Sequence, residues 1–376
     1  MKKSFLLAAA ALALTLPVNA QEAQPDPRSS SEAVAQEGTP APSPSPSPNE
    51  IVAAAPASEW VRIAAEDLLV MTLAPDSAGN ERKVVIQLMP APFSQGWVSN
   101  IRTFARAKWY DNISVNRVQD NYVVQWGDPN YDDPEATGET KPLPEGLKVM
   151  GEDEYSQSME SMAAAVEADK VSLRRDETGR YLPLYEERER RAMISIASTR
   201  TATAPQGWHQ RDSYSYFVEF YKGWAIASNT AEDSAVFWPT HCYGMVGIGR
   251  NYSPDTGSGA ELYTVIGHAP RHLDRNIALV GRIIEGMEHL SSLPRGKGDL
   301  GFYREDEFDK RTPILSVRVA SDLPAANQPA FEYLSTEGET FAKYTDARAN
   351  RRDPFFIKAA GGADICNIPV PVRRVK

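Results

Sequence analysis

The chain has 376 residues, 42% of them hydrophobic and 9% aromatic, enough to form one or two packed cores without a metal or a set of disulfides to staple them. Its 50 acidic residues outnumber the 40 basic ones, and a formal charge of −10 repels phosphate backbones and anionic membranes, so no nucleic-acid partner is expected. Gly-x-Ser-x-Gly elbows, Gly-rich phosphate loops and Cys-x-x-Cys pairs are missing, and nothing in the sequence calls for a cofactor.

Residues 1–20, "MKKSFLLAAAALALTLPVNA", combine Lys2 and Lys3, an apolar run from Phe5 to Leu16, and small residues at Val18 and Ala20. The run is shorter than the ~20 residues of a bilayer span, so it reads as a cleaved signal peptide with no integral membrane segment after cleavage. A periplasmic or secreted location follows as an expectation. Removal of Lys2 and Lys3 would make the charge −12. The only two cysteines, Cys242 and Cys366, could then form one bridge or remain two buried thiols.

Residues 21–57 alternate Pro with Ser around Pro42–Pro48 and hold few large apolar side chains, the composition of a disordered linker. Order is expected from about Trp60. "EDLLVMTL" and "RKVVIQLMP" flank a turn cluster and read as a hairpin. In "SQGWVSNIRTFARAKWYDN", Trp97, Ile101, Phe104, Ala105 and Lys108 fall on one helical face with Ser94 as N-cap. "ISVNRVQDNYVVQWGDP" reads as two short strands around "QDN".

Between about 131 and 238 the texture changes to a Pro/Gly/Asp loop, a helix presenting Met159, Met162, Ala163 and Val166, a turn at "TATAPQGW", and an aromatic strand "DSYSYFVEFYKGWAIA". Strands then follow in "THCYGMVGIGRN", "AELYTVIG", "IALVGRI" and "TPILSVRVAS", with a short helix at "EGMEHLSSL". The order suggests a mainly β fold, a closed antiparallel barrel capped by two helices with a mixed insertion, rather than alternating βαβ units. The basic stretches "EERERRAM" and "NRRDPFF" read as solvated faces.

Two blocks, about residues 67–130 and 240–320, resemble the cyclophilin-type peptidylprolyl cis-trans isomerases. "VVIQLMPAPFSQGWVSNIRTFARAKWYDNISVNRVQDNYVVQWGDP" is similar to that family's strand, helix and F-H-R-V-I-x-x-F-x-x-Q-G-G-D-P signature. "HLDRNIALVGRIIEGMEHL" is similar to its x-L-D-G-x-x-x-x-F-G-x-V-x-x-G-M stretch. The resemblance implies a cyclophilin-like domain over 58–322, interrupted at about 131–238, with a C-terminal extension over 323–376. It puts Arg117 on the catalytic arginine and Gln125 on the pocket glutamine. It also puts Tyr122, Val123 and Leu273 on the walls of a proline pocket, Gly249 on the groove-lining alanine, and His272 where some members have an aromatic residue. Matching "GAELYTVIG" to the family's G-S-Q-F-F-I places Leu262 on its glutamine and Thr264 on the phenylalanine that floors the pocket. Val115-Asn116 replace its Phe-His, Trp126 a glycine, and Ile277 a common histidine.

The implied activity is isomerisation of prolyl bonds in unfolded or exported polypeptides. A non-catalytic chaperone or scaffold with an eroded pocket is the alternative, suggested by the small polar Thr264. "DTGS" at Asp255–Ser258 matches the aspartic-protease core, but a second copy is missing and such enzymes need paired carboxylates. His268 and His272 lie four apart, but Pro270 between them argues for a loop, and no metal site is expected.

Overall fold

In the computed structural model, which describes residues 45–128, 130, 138–173, 212–231 and 234–375, order begins before Trp60. Helix α1 (Pro48–Ala53) lies inside the expected linker. Ser47 and Glu50 form a reciprocal capping box with Pro48 at the first helical position, so "SPNE" carries a complete start signal within a Pro-Ser run. The expected signal peptide, most of the linker, "EERERRAM" and "TATAPQGW" lie outside the described residues.

Strands β1 (Trp60–Arg62), β2 (Leu68–Leu73) and β3 (Arg82–Leu88) precede helix α2 (Gln95–Arg106), which is followed by β4 (Ile113–Val118) and β5 (Val123–Gly127). The insertion carries β6 (Gln157–Ser158), α3 (Met159–Leu173), β7 (Phe217–Tyr221), β8 (Trp224–Ala231) and β9 (Ser234–Pro239). Next come β10 (Met245–Ile248), β11 (Leu262–Val265), β12 (Leu279–Glu285), α4 (Glu288–Ser291) and β13 (Pro313–Val319). The extension holds β14 (Phe331–Leu334), α5 (Glu339–Ala349) and β15 (Val372–Arg374).

Eight strands close into an antiparallel barrel in the order β10-β11-β5-β4-β13-β2-β3-β12. Alternation puts Leu69, Met71 and Leu73 of β2 and Val84, Ile86 and Leu88 of β3 in the main core, together with Trp97, Ile101 and Phe104 of α2. Ser94 does occupy the cap position of α2, but in a left-handed conformation and without a side-chain cap, and Lys108 falls past the helix end, exposed.

Outward residues Leu68 and Val85 are buried as well, under Phe331 and Tyr333 of β14. That is why "RKVVIQL" reads as a nearly continuous apolar run: β1, β14 and β15 form a second sheet whose residues cover the barrel wall. The insertion forms a third sheet, β6-β9-β8-β7. Its "FVEFYKGWAIA" is two strands rather than one, because Lys222 and Gly223 both take positive φ, 48° and 80°, and turn the chain in two residues. On α3, Met162 and Met159 pack on the core, whereas Ala163 is exposed.

A disulfide joins Cys242, just before β10, to Cys366 in the extension. Ile365 packs with Val218, Ala227 and Trp238 of the insertion, so the described residues of barrel, insertion and extension form one compact unit. Among the described residues no helix is long and apolar enough to cross a membrane.

Candidate functional site

Strict alternation along "ISVNRV" would send Arg117 into the barrel with Ile113 and Val115. A bulge between Val115 and Arg117 prevents this. Asn116 is the extra residue, fully buried, with its Nδ2 donating to Gly127 O at 3.3 Å and its Oδ1 accepting from Ser114 Oγ at 2.7 Å. The bulge turns Arg117 to the outer face and returns Val118 to the core, a common use of bulges beside functional sites.

Arg117 and Gln125 are cross-strand partners. Arg117 Nη1 donates to Gln125 Oε1 at 3.1 Å, Nε to Leu300 O at 2.7 Å, and Nη2 to Gln119 Oε1. Three of the guanidinium's five N–H groups are therefore engaged, and the fork is held in one plane. Asp120 pairs with Arg295 at 3.1 Å and Asp128 accepts the amide of Asn130 at 3.0 Å, so neither is the arginine's partner. The rings of Tyr122 and Phe302 lie 5.7 and 5.4 Å from the guanidinium carbon. Burial draws Arg117 below the ordinary guanidinium range, while Tyr122 and Glu261 act in the opposite direction.

These groups line a groove cavity of about 530 Å³ that also takes in Val123, Gly249, Tyr252, Glu261, Tyr263, Leu273, Ile277 and Phe302. Of the residues expected from sequence, Arg117, Gln125, Tyr122, Val123, Gly249 and Leu273 meet there. His272 does not line it; its ring stacks beside Tyr122 at 6.4 Å.

Leu262 and Thr264 are corrections. Leu262 belongs to the main core, and fully buried Thr264 follows it on the barrel side of β11. Glu261 and Tyr263 take the groove side, and Tyr263 packs with Val123, Val265, Tyr122 and Ile277. Moving the match by one residue sets Gly259–Thr264 on G-S-Q-F-F-I, with Glu261 for the glutamine and Tyr263 for the floor phenylalanine. The pleat demands it, since a one-residue slip exchanges the two faces. The floor is thus aromatic.

Two glycines, Gly247 on β10 and Gly249 just past its end, make this floor possible. A Cβ at Gly247 would lie 2.3 Å from the Tyr263 hydroxyl, and one at Gly249 would lie 2.7 Å from Glu261 Cβ. Tyr263 and Glu261 therefore lie across backbone that carries no side chain at these two positions. Glu261 Oε2 accepts from Gln125 Nε2 at 2.9 Å, completing a polar row Arg117–Gln125–Glu261.

Thr264 Oγ1 is buried and has no hydrogen-bond partner among the described residues. Replacing it by the isosteric valine removes an unsatisfied hydroxyl, so Thr264→Val should raise unfolding stability by about 1 kcal/mol, measured by denaturant titration. No loss of isomerase activity is expected, because the side chain faces away from the groove.

Leu300 and Phe302 were not foreseen, and neither lies near a local motif. Their loop is held by Glu307, which accepts the amide of Lys297 at 2.9 Å and Lys310 Nζ at 2.7 Å. Lys310 foremost, with the backbone amides of Lys297 and Arg304, holds the Glu307 carboxyl down at about 2, against an ordinary value of 4.5. A depressed carboxylate contributes stability that is complete above 4.5 and lost as pH falls through about 2. The stability gap between the wild type and Glu307→Gln should therefore be constant from neutral pH to about 4.5 and close on acidification to about 2.

Asp255 of the "DTGS" loop accepts the backbone amides of Asn251 and Gly257 at 2.8 and 2.9 Å, the work of a loop-shaping aspartate.

The family model described as "Cyclophilin type peptidyl-prolyl cis-trans isomerase/CLD" matches residues 78–319. Among solved structures, a cyclophilin of Hirschia baltica is similar at 19% identity and a TM-score of 0.54, over 84% of this chain and 93% of that one. A cyclophilin-type isomerase of Cryptosporidium parvum, in the presence of the dipeptide Ala-Pro, is similar at 10% identity and a TM-score of 0.33, over 66% and 97% of the two chains. No curated protein matches the chain. The closed eight-stranded barrel and the match over 78–319 make this chain a member of the cyclophilin-type peptidyl-prolyl cis-trans isomerase family.

Proposed function

We propose that the protein isomerises X-Pro bonds in exported polypeptides, in the periplasm or outside the cell, and that Arg117 supplies the catalytic interaction. The observation that carries this reading is the fixed guanidinium of Arg117 at the rim of a groove floored by Tyr263.

Rotation about a prolyl amide meets a barrier of ~18–20 kcal/mol because the C–N bond has partial double-bond character. At the twisted geometry that conjugation is lost, and the prolyl nitrogen presents a lone pair that neither planar state offers. An N–H of Arg117 can donate to it, so the interaction is stronger in the transition state than in either ground state. Gln125 orients the arginine through Oε1, and Glu261 orients Gln125. Val123, Tyr122 and Tyr263 would hold the prolyl ring while the preceding carbonyl swings.

Export is supported by the composition of residues 1–20 and agrees with the Cys242–Cys366 bridge. The non-catalytic alternative drew on Thr264 as an eroded floor; with Tyr263 in that place it loses its main support. A protease-coupled assay with a proline tetrapeptide tests the reading. Acceleration over the uncatalysed rate is expected, and an unchanged rate with retained suppression of aggregation would leave a binding protein instead.

A further inference from the structure

Below the groove a row of buried polar side chains leads from Tyr263 to the insertion. The Tyr263 hydroxyl lies 2.9 Å from His241 Nε2, and His241 Nδ1 lies 2.9 Å from Asp274 Oδ1. An ionised carboxylate can only accept, so Nδ1 carries the imidazole proton, Nε2 accepts, and the Tyr263 O–H donates. Asp274 Oδ1 also accepts the backbone amide of His241 at 3.0 Å, fixing main chain and ring together. Its Oδ2 accepts Arg271 Nε at 2.6 Å and Trp238 Nε1 at 3.3 Å. The outer nitrogens of Arg271 grip Asp212, at the entry to β7, at 3.2 and 2.7 Å. Tyr263, His241, Asp274 and Arg271 are all buried. Burial, the largest influence, holds the imidazole below its ordinary range against the pull of Asp274, which keeps Nε2 free to accept.

We infer that His241 is a positioning residue for the isomerase, and that the insertion, through Asp212, Arg271 and Asp274, sets the height of the Tyr263 floor and thereby the affinity for the prolyl ring. The inference rests on the groove being the prolyl site. Its physical basis is that Gly247 offers Tyr263 no side chain to rest on. With the ring lying over bare backbone, the hydroxyl anchor at His241 fixes how far the ring stands into the cavity. Among the described residues the hydrogen-bond partners of Asp212 are Arg271 and Ser215, neither of which lines the groove, so its effect there runs through this row to Tyr263.

The test is a double-mutant cycle on the full chain, read by NMR titration with a proline tetrapeptide and by kcat and KM. Tyr263→Phe should weaken binding about 3- to 10-fold, and Asp212→Asn about 2- to 5-fold, each with kcat changed less than about twofold. In the double variant, Asp212→Asn should add less than about 1.5-fold, because the link it loosens is already broken. The ring ¹⁵N signals of His241 should report an unprotonated, hydrogen-bonded Nε2 in the wild type and shift in Tyr263→Phe. That signal and the Tyr263→Phe affinity decide the matter if Asp212→Asn fails to fold. Unchanged affinity in Tyr263→Phe, or fully multiplicative effects, overturns the inference while the prolyl-site reading stands. A wild type that shows no titration removes both.

Discussion

Arg117→Ala should lower kcat/KM for a proline tetrapeptide about ten- to a hundredfold, a loss of about 1.4 to 2.7 kcal/mol of transition-state stabilisation. The estimate corresponds to one charge-assisted hydrogen bond made only when the amide is twisted. KM should move much less than kcat, since in the proposed binding mode the prolyl ring would rest on the apolar cluster of Val123, Tyr122 and Tyr263 rather than on the guanidinium. Arg117→Lys separates charge from geometry. An ammonium keeps the charge but cannot contact Leu300 O, Gln125 and Gln119 through one planar fork, so it should recover only a small part of the rate. Equal rates for wild type and Arg117→Ala would remove the arginine from the mechanism.

The placement of Arg117 shows what a sequence does and does not disclose about such a site. The pair Arg117 and Gln125 was legible because "NRVQDNYVVQWGDP" keeps the family's spacing. The barrel was legible from turn clusters and alternation in "LLVMTL" and "VVIQL". What failed was register on β11. Gapless matching of "AELYTV" allowed Thr264 to stand for the floor, yet the sequence held a physical objection. In that assignment Leu262 and Thr264 face the groove, and Glu261 and Tyr263 enter a barrel interior lined mostly by Val, Ile, Leu and Met. The paired glycines in "VGIG" gave the complementary signal, being the shelf on which two large side chains of the neighbouring strand lie.

Other parts of the site had no local signature. Phe302 reaches the groove from a loop far along the chain, and the closing geometry of a barrel is what brings it there. His241 in "THCYG" looks like any lone histidine until Tyr263 and Asp274 stand on either side of it. The extension was separable by sequence but not by packing, because Leu68 and Val85 of the barrel wall need β14 to exclude water.

Breaking the Cys242–Cys366 bridge should cost about 2–4 kcal/mol of unfolding free energy, whether by Cys366→Ser or by a reductant. The two cysteines are 124 residues apart in sequence, and closing a loop of that length restricts the unfolded chain by about 5 kcal/mol in the chain-entropy treatment. Measured values usually fall below that bound, hence the lower expectation. Reductant should bring the denaturation midpoint of the wild type down to that of the Cys242→Ser/Cys366→Ser double variant and leave the variant unmoved. Coincident midpoints in oxidised and reduced wild type would show that packing alone holds the extension. The loss should also reach the groove. Cys242 directly follows His241, and Cys366 Sγ lies 4.0 Å from the His241 carbonyl oxygen. With the bridge open, Ile365 keeps its place against Trp238 and Val218 by apolar contact alone, and the segment that anchors Tyr263 from beneath loses its covalent fastening.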